Sequence, residues 1–119
     1  MIPHTLDILK TLIAFDTTSS KSNRALIDWV AAYLAERNIP HWLVESVDGA
    51  KANLLARIGP QVEGGILLSG HSDVVPVDGQ PWTSDPWELT QKEDKLYGRG
   101  VCDMKGFIAL SLVLIDTLD

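Results

Sequence analysis

The side chains of this sequence that could do hydrolytic chemistry lie in two short motifs. His71 and Asp73 follow an apolar run at residues 65–70, and Asp103 follows Gly98 and Gly100. A neutral imidazole binds zinc through one ring nitrogen, while its other N–H usually donates to a carboxylate. A carboxylate such as Asp103 can place one oxygen on each of two metal ions. Together the two motifs resemble half of a two-metal hydrolase site.

The first motif is expected at the end of a strand. Residues two apart in a strand point to the same face, so His71 and Asp73 would lie side by side with Ser72 facing away. Ligands of open α/β sheets collect beyond the carboxyl ends of the strands. The alternative is a solvated turn in which a polar histidine and aspartate merely end the strand. For an isolated His-x-Asp pair, that alternative is favoured.

The second motif has a competing structural role. Asp103 precedes a predicted helix, and aspartate at a helix N-cap stabilises by about 1 kcal/mol relative to alanine. The local pattern alone favours a cap over a metal ligand. Cys102 could be a soft ligand, but adjacent residues of an extended segment point in opposite directions. We therefore expect Cys102 to pack as a small hydrophobic residue.

Other residues whose side chains could take part in catalysis or binding are expected to be structural. The two remaining histidines have no acidic residue at a ligand spacing. The tryptophans of the Pro-rich region suit packing of a loop better than lining of a cleft, and the basic residues of the second motif are expected to be solvated. These residues are His4, His41, Trp82, Trp87, Arg99 and Lys105.

Apolar residues at helical spacing predict three helices. The predicted spans are residues 6 to about 15, residues 22 or 23 to about 38, and residues 104 to about 118. Thr5 can cap the first helix, and Ser22 or Asn23 can cap the second. The predicted buried positions of these two helices are Ile8, Leu9, Leu12, Ile13, Phe15, Ile27, Val30, Ala31 and Leu34.

Apolar runs between turn residues predict strands. The predicted strands are residues 41–47, 53–58, 66–69 and 95–97. Asp48 and Gly49 form the turn between the first two strands. The strand at residues 66–69 is apolar throughout and is expected to be central, and residues 76–87 are expected to form an ordered loop. Two helices, several strands and a final helix together predict the α/β class.

Composition limits the classes of partner. The chain has 119 residues, 45% of them hydrophobic, and a net charge of −6. These values suit one soluble globular domain, and the lack of a basic stripe argues against nucleic acid and anionic membrane surfaces. The uncharged stretch at residues 106–115 is too short to span a bilayer. One cysteine and no secretory signal fit a cytoplasmic protein.

Three segments in the second half of the chain resemble the zinc aminoacylase and carboxypeptidase family in order and spacing. They are residues 69–80, 82–87 and 96–107, which include both motifs. The run Val-Pro-Val-Asp-Gly-Gln, followed by Trp82, is most similar to the acetylornithine deacetylases of that family. The resemblance implies a zinc-peptidase-like catalytic domain with a central mixed sheet flanked by helices.

The resemblance also implies a role for each motif residue. His71 would ligate one zinc ion, Asp103 would bridge two, and Asp73 would be the active-site acid that orients His71. The peptide bond after Asp103 would be cis. Two zinc ions, with cobalt or manganese as substitutes, would activate a water while a glutamate moves its proton. N-acetylornithine would then yield acetate and ornithine, a step of arginine biosynthesis.

By the same resemblance, residues 1–119 would be a truncated N-terminal portion of the catalytic domain. The glutamate base, the remaining metal ligands and the lid or dimerisation domain would lie beyond Asp119. We therefore expect the chain alone to be inactive. The intact enzyme would be a homodimer that acts on small N-acyl amino acids.

Two other readings stay open. Within the family, the enzyme could instead be a succinyl-diaminopimelate desuccinylase, a carboxypeptidase or an aminoacylase. Outside catalysis, the chain could be a metal-poor α/β module that folds and binds a partner or itself through an exposed sheet edge and an apolar last helix. A nucleotide-binding domain is disfavoured, because no Gly-rich phosphate loop follows a strand.

Overall fold

In the computed structural model, which describes residues 2–118, two helices are followed by four short strands and a final helix. The helices are α1 (Ile2–Ala14), α2 (Arg24–Glu36) and α3 (Gly106–Ile115). The strands are β1 (His41–Glu45), β2 (Ala52–Ala56), β3 (Thr90–Lys92) and β4 (Lys95–Tyr97). A kinked turn of π type, Val101–Lys105, leads directly into α3. The α/β class predicted from the sequence is confirmed.

The three predicted helices are present, with shifted ends. α1 begins at Ile2, so Thr5 lies inside the helix, and the prediction that it caps the start is wrong. Apolar residues from all three helices form one core, because each helix turns one apolar face inward. The buried residues of this core are Ile8, Leu9, Leu12, Ile13, Leu26, Ile27, Val30, Tyr33, Leu34, Ala52, Ala109, Leu112 and Val113.

Asn23 occupies the N-cap position of α2 without capping it. Its side-chain amide instead donates to the carbonyl of Ala52 at 3.0 Å, and its oxygen accepts the N–H of the same residue at 2.9 Å. The hydroxyl of Ser22 accepts the Arg24 N–H at 3.1 Å, near the helix start. Asn23 therefore joins α2 to β2, a long-range role that a local capping pattern does not reveal.

The four strands form two separate antiparallel pairs. β1 pairs with β2 in a register that places His41 opposite Ala56 and Glu45 opposite Ala52. The predicted turn at Asp48 and Gly49 is confirmed, with Gly49 at a φ of 69°. β3 pairs with β4. The strand at residues 95–97 was expected, while its partner β3 was not.

The predicted central strand at residues 66–69 is wrong. Within residues 2–118 this segment pairs with no strand, and the side chains of Ile66 and Leu67 are 91% and 86% exposed. A mixed central sheet is likewise not formed by the described part of the chain. The physical reason is that an extended segment becomes a strand only when a neighbouring backbone satisfies its N–H and C=O groups. An apolar sequence cannot supply that neighbour.

α3 is apolar on every side but is covered on only one. Ala109, Leu112 and Val113 are buried in the core, whereas Leu110 and Leu114 are exposed. The apolar composition of α3 is therefore matched by burial on one face alone. Residues 76–87 contain no helix or strand, which confirms the predicted loop. Among the described residues, no helix combines the length and apolarity needed to cross a bilayer.

Candidate metal centre

The backbone beside His71 pairs with the segment that follows α1. Thr18 and Val74 form an isolated parallel bridge. The Val74 N–H donates to the Thr17 carbonyl at 3.1 Å, and the Ser19 N–H donates to the Val74 carbonyl at 3.0 Å. Thr17, Thr18 and Val74 are buried. The end of α1, rather than a neighbouring strand, therefore positions the first motif.

The imidazole of His71 lies between two carboxylates. Its Nδ1 is 3.0 Å from the main-chain oxygen of Asp73 and 3.2 Å from Oδ1 of the same residue. Its Nε2 is 2.9 Å from Oδ1 of Asp103. Carbonyl and carboxylate oxygens accept, so both ring nitrogens donate and this geometry favours an imidazolium. The two motifs, separated by more than thirty residues in sequence, therefore meet at one ring.

Hydrogen bonds set the charge state of this group. The main-chain hydrogen bond to Asp73 raises the pKa of His71, partial burial opposes that change, and the bond to Asp103 reinforces it. The hydroxyl of Ser19 donates to Oδ2 of Asp73 at 2.5 Å, and this bond lowers the pKa of Asp73. His71 and Asp73 are thus side by side, as their spacing predicts, and Asp73 accepts directly from the ring.

Asp103 does not cap α3. Lys105 holds the N-cap position, without a side-chain capping bond, and Asp103 contacts His71 instead. The prediction that Asp103 caps the last helix is therefore wrong. The peptide bond between Asp103 and Met104 is cis, as the family resemblance implies. The Asp103 side chain is 84% exposed, so its carboxylate is open to ligands from solvent.

Cys102 is exposed, and the prediction that it packs as a small hydrophobic residue is wrong. That prediction assumed an extended segment in which neighbours alternate. In the kinked π-type turn at Val101–Lys105, Cys102 and Asp103 both lie on the accessible side. Val101 packs against the core in its place.

Lys105 is fully buried, contrary to the expectation that it is solvated. Its Nζ donates to the main-chain oxygen of Phe15 at 2.7 Å and lies 5.8 Å from the centre of the Trp87 ring. Burial lowers the pKa of Lys105 to about 8, against the opposing attraction of Asp16. A buried ammonium is costly unless it is hydrogen-bonded, and the Phe15 carbonyl supplies that bond.

The remaining candidates are structural, as predicted for most of them. His4 lies 3.2 Å from a carboxylate oxygen of Asp116, and His41 lies 2.9 Å from the carbonyl of Ile39. Trp82 donates to the side chain of Gln80 at 3.0 Å, within the loop that it was expected to pack. Arg99 is an exception, because its guanidinium is half-buried, stacks 5.2 Å from the Trp82 ring and bonds Gln80.

His71 and Asp103 face a cleft of about 230 Å³, which is also lined by Ser19, Asp73 and Cys102. Imidazole nitrogen and carboxylate oxygen are preferred zinc donors. Two donors on one tetrahedral zinc lie about 3.3 Å apart, and the observed 2.9 Å needs only a small opening of the pair. Because Asp73 holds the Nδ1 proton, Nε2 is the nitrogen that would bind a metal, after losing the proton that it donates to Asp103.

The described residues alone do not complete such a centre. Within residues 2–118, no group of three or more histidine, cysteine or acidic side chains has the arrangement needed to hold an ion. The pair formed by His71 and Asp103 therefore fits part of a metal site. A larger groove of about 640 Å³ shares no lining residue with this cleft.

Ser19 and Thr17 are the residues of the site that the sequence pattern does not reveal. Both belong to a polar run between two predicted helices, a composition typical of any loop. Their contacts with the first motif span 54 and 55 residues of sequence. The signal in the sequence is the run of four hydroxyl residues at positions 17–20, which is longer than one turn requires.

The absence of a side chain at Gly100 lets the second motif pack closely against Val74, which follows the first motif. Its φ is 86°, and a Cβ added there would lie 2.7 Å from Cγ1 of Val74. We expect Gly100→Ala to lower the free energy of unfolding by about 2 kcal/mol, through left-handed strain and overpacking. Urea denaturation measures the change. In Gly49→Ala, where φ is 69° and no atom lies within 4 Å, only the strain of about 1 kcal/mol should remain. Equal losses in the two variants would contradict the steric argument.

Comparison with known proteins agrees with this geometry. Residues 67–119, which contain both motifs, match the model of peptidase family M20/M25/M40. The chain is 40% identical to the acetylornithine deacetylase of Buchnera aphidicola from Acyrthosiphon pisum, over 99% of this chain and 32% of that protein. It is 43% identical to the acetylornithine deacetylase of Vibrio vulnificus, over 91% of this chain and 30% of that protein. The chain thus spans about a third of the length of these relatives.

Structural comparison supports the same fold. Human carnosine dipeptidase 1 superposes on this chain with a TM-score of 0.79 and 24% identity, covering 96% of this chain and 28% of the dipeptidase. The arrangement of α1, α2, the β1–β2 pair and α3 is therefore found within a much longer chain.

Proposed function

Because residues 67–119 match the model of peptidase family M20/M25/M40 and the chain is 40% identical to an acetylornithine deacetylase, we propose that it belongs to this family and forms part of the catalytic domain of a zinc-dependent amidohydrolase. The contact between His71 and Asp103 is the observation that carries this proposal, since it joins an imidazole and a carboxylate in one exposed cleft. The proposed reaction is hydrolysis of N-acetylornithine to acetate and ornithine, in arginine biosynthesis. The names of the relatives support this substrate.

Each residue of the pair has a distinct proposed role. Nε2 of His71 would hold one zinc ion, and Asp103 would share its carboxylate between two. Asp73 is a positioning residue, because it accepts the Nδ1 proton and so orients the ring. When bound, the metal ions would polarise the amide carbonyl and lower the pKa of a water molecule. The exposed cleft leaves the substrate a path to the pair.

We further propose that this chain supplies only the first part of the active site. The glutamate that would move the water proton, and the remaining ligands, would come from the part of the relatives that this chain does not match. The complete enzyme would be a cytoplasmic homodimer acting on small N-acyl amino acids. In this proposal the 119-residue chain alone does not turn over substrate.

A chimera tests the proposed function. This chain would replace the matched third of the Vibrio vulnificus acetylornithine deacetylase, and acetate release from N-acetylornithine would be measured with added zinc. We expect activity in the chimera and none in the isolated chain. The matched control is the same chimera with His71→Ala, which should be inactive while remaining folded.

Substrate choice is tested with the same chimera. N-succinyl-diaminopimelate and a dipeptide would be offered beside N-acetylornithine, and the ratios of kcat/KM compared with those of the parent deacetylase. Retained preference for the acetyl substrate supports the proposal. A folded, zinc-loaded chimera that hydrolyses none of these substrates would reject it.

A further inference from the structure

Residues 15–19, the segment between α1 and α2 that we call the positioning segment, contact both motifs of the candidate metal centre. The side chains of His71 and Asp103 are 49% and 84% exposed, so core packing does not hold them at their separation. Something else must fix two groups that come from distant parts of the sequence. The contacts of the positioning segment are the candidates.

Toward the first motif, the positioning segment makes bonds with both backbone and side chain. The Thr17 hydroxyl donates to the carbonyl of Ser72 at 2.6 Å, directly between His71 and Asp73. The hydroxyl of Ser19 donates to Oδ2 of Asp73, whose other oxygen faces the His71 ring. Thr17 is itself buried. These bonds hold Ser72 and Asp73, the two residues that follow His71, and Asp73 in turn holds the His71 ring.

Toward the second motif, the positioning segment contributes one carbonyl. The Phe15 oxygen accepts from Nζ of Lys105, which lies two residues after Asp103. Lys105 is completely buried, and its aliphatic chain runs beside Gly100. A buried ammonium strongly favours retaining its acceptor. The turn that carries Asp103 is therefore tied to the end of α1.

Resting on the proposed function, we propose that the positioning segment holds His71 and Asp103 at the separation that lets them share one metal ion. Ser19 and Lys105 are positioning residues, one on each side of the pair. Neither needs to touch the ion or the substrate. In the described residues, no strand hydrogen bonds join the two motifs to each other. The positioning segment would instead contact both motifs and so fix their relative position.

Cobalt binding to the 119-residue chain tests the proposal, with visible absorption as the readout. We expect Ser19→Ala and Lys105→Met each to weaken Co²⁺ binding about tenfold, as loss of a residue that orients a ligand does. Ser19→Thr keeps the hydroxyl and should retain the affinity. The matched controls are Ser20→Ala and Lys10→Met, which alter exposed residues, one directly after the positioning segment and one on α1.

A measurement without metal separates this inference from the proposed function. In the metal-free chain, NMR should show a nuclear Overhauser effect between the His71 ring and the Asp103 side chain, and both variants should lose it while remaining folded by circular dichroism. Failure of the unmodified chain to bind Co²⁺ would count against the proposed metal centre, and the NMR result would then decide the role of the segment. Retention of the effect and of the affinity in both folded variants would overturn the inference.

Discussion

Replacing His71 with alanine is expected to weaken zinc binding by this chain more than 100-fold. Loss of a residue that only orients a ligand costs about 10- to 100-fold in affinity, and loss of the ligand itself should exceed that range. His71 supplies the nitrogen of the pair, and Asp103 cannot replace it with an oxygen from the same direction. Isothermal titration calorimetry with zinc measures the affinity, and water molecules are expected to complete the coordination.

His41 provides the control for that experiment. Its ring also contacts a main-chain carbonyl, at 2.9 Å from Ile39, but it does not line the cleft. His41→Ala should therefore bind zinc as the unmodified chain does. Binding that survives in His71→Ala, or that disappears equally in His41→Ala, would show that zinc binds elsewhere. An unmodified chain without measurable affinity would mean that the pair needs further ligands before it holds an ion.

Leu12→Ala is expected to lower the free energy of unfolding by about 4 kcal/mol. Leucine-to-alanine changes in cores cost about 2.7–5 kcal/mol, and the cost grows with the cavity that remains. Leu12 is 0% exposed and belongs to the core that residues of all three helices form. Domains are stable by about 5–15 kcal/mol, so this one change should remove much of the total. Urea denaturation followed by circular dichroism measures it.

Leu110 offers the same substitution without the cavity. It lies on the uncovered face of α3 and is 58% exposed. Leu110→Ala should change the free energy of unfolding by no more than about 0.5 kcal/mol, as surface substitutions usually do. A similar loss in both variants would indicate that the outer face of α3 is covered in solution, for example by a second copy of the chain.

Much of the helical structure was predictable from the sequence because it depends on the spacing of apolar residues within a few turns. A buried face repeats every three or four residues, so Ile8, Leu12, Ile27 and Leu34 are recognisable as core from their spacing. The Asp48-Gly49 turn is equally local, since it depends on the backbone freedom of a single glycine. The two motifs are recognisable by residue type and order, although neither type nor order determines that they meet.

The errors share a different cause. Residues 66–69 have the composition of a central strand but no partner strand in the described chain, and pairing is a property of two segments. Lys105 has a charge that favours solvent, yet the Phe15 carbonyl makes its burial possible. Cys102 is exposed because Val101–Lys105 forms a kinked π-type turn, which alternation along an extended chain does not anticipate.

The sequence by itself determined the helix faces, the resemblance to a metallohydrolase family and the identity of the two motifs, because these depend on residue types and on spacings of a few positions. Only the tertiary structure decided that Asp103 turns to His71 instead of capping α3, and that Ser19 supports Asp73. The physical reason is that a hydrogen bond is directional and short, whereas its partners here lie 32 and 54 residues apart. Which polar groups meet across such separations depends on how the whole core packs.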